Sequence, residues 1–380
     1  MILFLSQYGN QPECEYQTDA GFTVSGAQTN EAPTKYAIRK LNARGEKLDK
    51  IIAFVTPFAK STALERYTAS VDGECAELEI PKIEIIPADI PNAVTITELL
   101  QKTIDLVLPV SGGDSVIIET TGGYRNAISA LTLLSRFLRY GGVNIEFSTF
   151  SDFQTKEVSD TREFDALFDL LDAVNAFATT GNAQEIKKLL NVQALPGGTE
   201  FFAATREFYG TVLLCKSSNI ESCIEKLLAA IDKIKNDDYA TSDPRSIIFK
   251  NIIFGIIERK MTFINAENRL LEFVQWCCDN KYLQQSVTFL KESAVTSCTK
   301  KYIPYPDFQT LRVLRNSINH ATGTAVYKPE EEHELERIGA IKKVNAFLDN
   351  PELIFKFVNK LLARLRDKLL VRSRKKLESG

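Results

Sequence analysis

The hydrophobic periodicity of this 380-residue chain changes partway along, and that change limits the architectures open to it. Over roughly the first 150 residues, short unbroken apolar runs alternate with amphipathic helical stretches. The runs Ile2–Leu5, Ile51–Thr56, Ile83–Ile86, Val116–Thr120 and Val143–Phe147 read as buried strands. Pro33–Lys47, Thr95–Leu108 and Arg125–Tyr140 read as the helices between them, the last closed by Gly141-Gly142. Strands that are apolar on both faces, joined by helices, make a mainly parallel, Rossmann-like sheet. Ligands of such sheets lie beyond the carboxyl ends of the strands. Here those ends are Ser6–Asn10, Thr56-Pro57 and Thr120–Arg125.

Beyond about residue 155 the strand signal fades. Thr161–Thr180, Asn182–Asn191, Asn219–Lys235, Ser246–Lys260, Ala266–Asn280 and Tyr282–Ser297 read as helices. Leu195–Thr199 reads as a loop, and Asn236–Asp238 and Tyr302–Pro306 as turns. The expected organisation is an α/β domain over residues 1–155 and an all-α domain over 156–380. The Pro351–Lys376 stretch is a long amphipathic helix whose last third is basic, through Arg364, Arg366, Lys368, Arg372, Arg374, Lys375 and Lys376. A solvated helix end accounts for this run, with a local nucleic-acid contact as the alternative.

Composition narrows the function classes. The net charge of −3 gives no global basic field, so any nucleic-acid contact must be local. Seven cysteines without a CxxC pair point to reduced thiols in a cytoplasmic protein, not to a disulfide framework or a zinc site. Met1–Leu5 is too short for a signal peptide, and no apolar run approaches a membrane span.

Two constellations carry chemistry. The first, Glu119-Thr120-Thr121-Gly122-Gly123-Tyr124-Arg125-Asn126, links a buried strand to a helix. Its glycines let the backbone turn sharply, and the helix start favours an anion. The hydroxyls of Thr120 and Thr121 can donate to phosphate, and Arg125 can fork onto it. An ordinary strand-to-helix turn is the plain alternative. The segment is neither a P-loop nor a dinucleotide fingerprint.

The second lies in Leu311–Gly323, read as a helix with Gly323 at its C′ position. Arg312, Asn316 and His320 fall at i, i+4, i+8 on one face, flanked by Arg315 and Asn319. Phe308, Leu311, Leu314 and Ile318 form the apolar side. Of the two histidines, His333 sits in the acidic run Glu330–Glu334, so imidazole chemistry falls to His320. A solvent-exposed polar helix face is the plain reading. The C-terminal half shows neither a metal-ligand cluster nor a helix-turn-helix.

The run Ile117–Asn126 resembles the signature of CARF domains, the CRISPR-associated Rossmann-like sensors. It departs from the commoner pattern in having Glu119 for Asp and Thr121 in place of His or Asn before the glycine. Arg315-Asn316-x-x-x-His320 has the R-x4-H spacing of HEPN ribonucleases, and Trp276–Asp279 and Gln284–Glu292 resemble the helices before that motif. Together the resemblances cover most of the chain. They imply a homodimeric, metal-independent endoribonuclease of type III CRISPR antiviral defence, activated allosterically by cyclic oligoadenylate. The implied activator contacts are Ser6, Gln7, Tyr8, Thr56, Thr120, Thr121, Gly122, Gly123, Tyr124 and Arg125. The implied catalytic set is Arg312, Arg315, Asn316, Asn319 and His320, paired across two chains and leaving 2′,3′-cyclic phosphate ends on single-stranded RNA. No cofactor, metal, membrane contact or stable DNA binding is expected. Two alternatives stay open: the sensor half also cleaves its own ligand, or the protein is a non-catalytic nucleotide-sensing regulator. A tetra- or a hexa-adenylate ring fits equally.

Overall fold

The computed structural model describes residues 1–6, 10–90, 97–98, 101, 105, 114–122, 125–192, 195–236, 244–296 and 299–378. They divide into two compact units, Met1–Asp165 and Ala166–Gly380.

The first unit is built on a mostly parallel sheet of β1 (Ile2–Ser6), β2 (Asn10–Thr18), β3 (Thr23–Gln28), β4 (Lys50–Val55), β5 (Glu84–Asp89), β6 (Ser115–Glu119), β7 (Asn144–Asp152) and β8 (Glu157–Asp160). Their order is β3-β2-β8-β7-β6-β1-β4-β5. From β7 to β5 every pairing is parallel, while β2 pairs β3 and β7 pairs β8 antiparallel. Alternation along the central strands separates two cores. Leu3, Leu5, Ile51, Ala53, Val55, Ile117 and Phe147 pack on one face with α1 (Glu31–Asn42) and α3 (Leu64–Glu77), which follows the short α2 (Pro57–Thr62). Ile2, Ile52, Phe54, Val116, Ile118 and Ile145 pack on the other with α4 (Arg125–Tyr140). Both faces are covered, which is why these strands read as continuous apolar runs.

The β6–β7 ladder carries one irregularity. Val116 pairs with Ile145 but Ile117 pairs with Phe147, so Glu146 is an extra residue on β7. This β-bulge puts Phe147 and Thr149 on the same face as Ile117 and Glu119.

Several elements differ from expectation. The helix expected over Pro33–Lys47 starts at Glu31 and stops at Asn42, where Gly45 at φ +70° turns the chain back. The β2–β3 hairpin is polar enough to escape the strand pattern; Tyr16 and Val24 are buried, but Asn10-Gln11-Pro12-Glu13 reads as loop. Helix α3 buries only the narrow stripe Tyr67, Val71 and Cys75 and, beside it, Glu74, which is paired with Arg39. Thr95–Leu108 lies mostly outside the described residues, as do Gln7–Gly9 and Asp237–Asp238.

The second unit is helical: α5 (Arg162–Thr180), α6 (Gln184–Leu189), α7 (Gly198–Leu213), α8 (Ile220–Asn236), α9 (Pro244–Ile248), α10 (Phe254–Lys260), α11 (Arg269–Asp279), α12 (Leu283–Thr296), α13 (Tyr305–Asn319), α14 (Glu332–Arg337), α15 (Ala340–Asp349) and α16 (Pro351–Glu378). A π turn at Phe249–Ile253 joins α9 to α10, interrupting the single helix expected over Ser246–Lys260. Helix α7 was not expected, and it overlaps the loop read over Leu195–Thr199; left-handed Gly197 stands at its start. Its Phe201 meets Phe177, Phe249 and Phe254 edge to face, and its Phe208 packs against Phe263, Phe273 and Trp276. The Trp276 indole N–H donates to the Ala178 carbonyl at 2.9 Å, so this buried ring leaves no orphan donor.

Candidate functional site

Each unit presents one cluster of chemically capable residues. In the first, strand order reverses at β1, with β4 and β5 on one side of it and β6 and β7 on the other. The crevice beyond β1 and β6 is therefore a switch point, where ligands of open α/β sheets bind. Phe4 and Ile118 are in register, so Ser6 and Thr120 stand at the same height, two residues on. Thr56 follows Phe54, the partner of Ser6, on the other side. The sheet thus brings Ser6, Thr56 and Thr120 to one edge.

Beneath this edge lies a buried polar network. Glu119 is fully buried and accepts hydrogen bonds from Asn30 Nδ2 and from the Thr121 amide, the latter at 2.6 Å. Burial pushes its carboxyl up to about 7, against the opposing pull of Thr121 and Asn30. Glu31, also buried, accepts from the Ala27 amide at 2.6 Å, while its second oxygen has no partner among the described residues. Thr149 pairs with Glu119 across the ladder, and its buried hydroxyl likewise has no partner among the described residues. Tyr67 and Thr34 share a hydrogen bond at 2.8 Å in the same buried layer.

This network also engages the threonines expected to meet a ligand. The Thr120 hydroxyl donates to the Thr149 carbonyl at 3.0 Å, and the Thr121 hydroxyl accepts from the Ser151 amide at 2.8 Å. Both fix the turn to β7. Thr56 caps α2, its hydroxyl accepting from the Ala59 amide at 3.1 Å. The amides of this turn are engaged as well, Thr120 with the Thr149 carbonyl at 2.9 Å and Thr121 with Glu119, whereas the Thr121 hydroxyl keeps its own proton to donate. Gly122 has a structural reason to be glycine, since a Cβ there would stand 2.9 Å from Thr29 Cβ. Gln7, Tyr8, Gly123 and Tyr124 lie outside the described residues, as do the side chains of Ser6 and Arg125.

In the second unit, α13 carries the other cluster. Proline opens its first turn at Pro306, inside the segment expected to be a Tyr302–Pro306 turn. Phe308, Leu311, Val313 and Leu314 are buried, leaving Arg312, Arg315 and Asn316 half-buried and Asn319 and His320 exposed. Arg312 is tied to Glu331 at 3.0 Å and to Gln309 at 2.8 Å, and its guanidinium holds the Glu331 carboxyl below the usual range. Asn319 accepts from Gln284 at 3.2 Å. Arg315 is held loosely. Its nearest carboxylate oxygen, on Glu292, is 3.7 Å away, its bond to Asn316 Oδ1 is 3.5 Å long, and its buried Nε has no partner among the described residues.

The end of α13 departs from expectation. His320 is the C-cap, and the left-handed residue after it is Ala321 at φ +51°, not Gly323. The Thr322 amide donates to the Ser317 carbonyl and the Ala321 amide to the Ile318 carbonyl, which makes a Schellman closure on an alanine. The Ser317 hydroxyl locks this end by donating to Val313 and accepting the Val326 amide at 2.8 Å.

Sequence reading missed Asn30, the buried partner of Glu119, because only the fold joins residues so far apart. It also missed Cys215, whose thiol burial pushes up while Thr288 and nearby Arg315 draw it down. In the basic tail, Arg366 is committed to Glu272 through bonds of 2.8 and 2.9 Å. Arg364 and Lys368 are exposed, and the side chains beyond Val371 lie outside the described residues. Among the described residues no helix is long and apolar enough to cross a membrane, and no group of three or more His, Cys, Asp and Glu is placed to hold a metal. No protein-family model matches the chain, and neither does any curated protein.

Proposed function

We propose that this chain is a CARF–HEPN type, cyclic-oligoadenylate-activated and metal-independent endoribonuclease working as a homodimer. The observation that carries the reading is the end of α13. A loosely held arginine and an exposed imidazole stand five residues apart on one helix of an all-helical unit. RNA brings its own nucleophile. The 2′-oxygen attacks the adjacent phosphorus, the bond to the 5′-oxygen breaks, and the products are a 2′,3′-cyclic phosphate and a 5′-hydroxyl. A proton leaves the 2′-hydroxyl and another reaches the departing 5′-oxygen, which is work for His320 near neutral pH. Charge accumulates on the phosphorane oxygens, where the Arg315 guanidinium can bind in place of its weak contact to Glu292. With one such imidazole per chain, acid and base are supplied by two His320 copies in a symmetric pair.

The first unit supplies the sensor. Its switch point, the Gly122 turn and the Glu119 anchor suit an anionic ring, and a two-fold ring suits a pair of identical chains. Ring binding then biases the helical units toward the productive pairing of His320 and Arg315.

The test is cleavage of single-stranded RNA in EDTA, with and without cyclic tetra- or hexa-adenylate. Ring-stimulated cleavage is expected in the wild type. His320→Ala is expected to lose about 100-fold or more, while single-stranded DNA stays intact. Unchanged cleavage by His320→Ala sinks the assignment.

A further inference from the structure

A cleft of about 620 Å³ lies between α6 and α7 in the helical unit, lined among others by Gln184, Lys187, Thr199, Phe202, Arg206 and Tyr209. Its volume is that of a small-ligand site. One wall is a regular stripe of α7: Thr199, Phe202, Arg206 and Tyr209 follow helical spacing. Lys187 of α6 adds a second cation.

The charge here contrasts with the surroundings. Lys188, Lys226 and Lys233, all close in sequence or on the adjoining helix, are each paired with a glutamate at 2.6 to 2.7 Å. Lys187 and Arg206 have no ion pair or hydrogen bond from their side chains among the described residues, and both are exposed. The lining includes no Asp or Glu. A second cleft of about 590 Å³ in the same unit has the opposite character, with Glu221, Glu225 and Glu267 against Arg269. An anion is therefore directed to the α6–α7 cleft. Tyr209 is half-buried and Phe202 nearly fully buried, so the cleft also offers aromatic surface beside its cations. Cations next to an aromatic face, with an amide and a hydroxyl in reach, suit a phosphate joined to a base better than an aliphatic anion.

We propose that the α6–α7 cleft binds a nucleotide of single-stranded RNA, its phosphate on Lys187 and Arg206 and its base on Tyr209. This rests on the ribonuclease reading only for the identity of the strand. The lining of the cleft includes neither Arg315 nor His320, so it governs affinity and not the chemical step.

The experiment uses the full chain with His320→Ala, so that RNA stays intact, and measures anisotropy of a fluorescein-labelled oligouridylate over a range of salt. Adding Lys187→Gln and Arg206→Gln together is expected to weaken binding about tenfold and to lower the slope of log affinity against log salt by roughly 1.4, two single-strand phosphate contacts at about 0.7 each. Tyr209→Ala is expected to weaken binding without changing the slope. An unchanged affinity and slope in the double-cation variant overturns the site, and so does the absence of RNA binding by the parent protein. Two competitors separate the sources of the same chemistry. If AMP or polyglutamate displaces the RNA at concentrations where an unlabelled oligouridylate does not, the cleft serves a free nucleotide or an acidic peptide, and the strand reading falls. If the wild type does not cleave RNA and the cation variants still lose RNA binding, the ribonuclease reading fails while the cleft stands.

Discussion

Glu119 shows how much one residue's environment can set. Its carboxyl is fully buried, lies opposite Thr149, whose hydroxyl has no partner among the described residues, and holds the Thr121 amide and Asn30. Burial raises the folded-state value from 4.5 to about 7. A group raised in this way gives its full stability below its unfolded value, and that stability is lost as pH rises through the folded one. Between about pH 4.5 and 7 the first unit should therefore lose on the order of 3 kcal/mol through this group alone. Glu119→Gln keeps an oxygen for the Thr121 amide and lets the Asn30 amide flip to accept. Denaturant titrations at several pH values should then show a flatter dependence than the wild type across that window. An equally steep dependence in Glu119→Gln would place the titration elsewhere.

The helix end at His320 makes the same point for an element. A Schellman closure ordinarily uses glycine at the left-handed position, and here Ala321 fills it. For an L residue this costs about 1 kcal/mol or more. Ala321→Gly is expected to raise the urea midpoint of the helical unit by an amount worth about 1 kcal/mol, read by far-UV circular dichroism; a lowered midpoint would contradict the argument. The same position shows what was legible beforehand. Apolar spacing at Phe308, Leu311 and Leu314 revealed the helix and its polar face, because burial of one stripe is a local property. It could not reveal that the closure falls on Ala321, because Gly323 was the better residue for it and the Ser317–Val326 lock, a longer-range contact, decides the end. The β2–β3 hairpin and α3 were missed for a related reason. Their buried residues are too few to stand out against polar neighbours. The internal bonds of the Thr120 and Thr121 hydroxyls were not legible, because their partners, Thr149 and Ser151, lie on a strand that sequence alone does not align with them.

For the whole molecule the proposed function predicts cooperation between chains. A composite site built from two His320 copies would make activity depend on pairing, not on one chain. Adding increasing His320→Ala protein to a fixed amount of wild type, after exchange at low concentration, should lower the cleavage rate as mixed pairs form. A rate indifferent to the added variant would mean that each chain acts alone. Within one chain the sheet depends on residue count as much as on residue identity. Glu146 is the extra residue of β7, and its side chain does no more than meet Arg44 and Asn144 at the surface. Replacing it with alanine removes those contacts and leaves the strand in step. Losing the residue altogether, as a single-codon deletion would, leaves Phe147 and Thr149 on their present face opposite Ile117 and Glu119, because Phe147 then follows Ile145 in plain alternation and only the bulge disappears. In a lineage of such chains, position 146 should therefore vary freely in letter and be the place in β7 where a residue can drop out, whereas a loss between Phe147 and Thr149 would turn Thr149 away from Glu119.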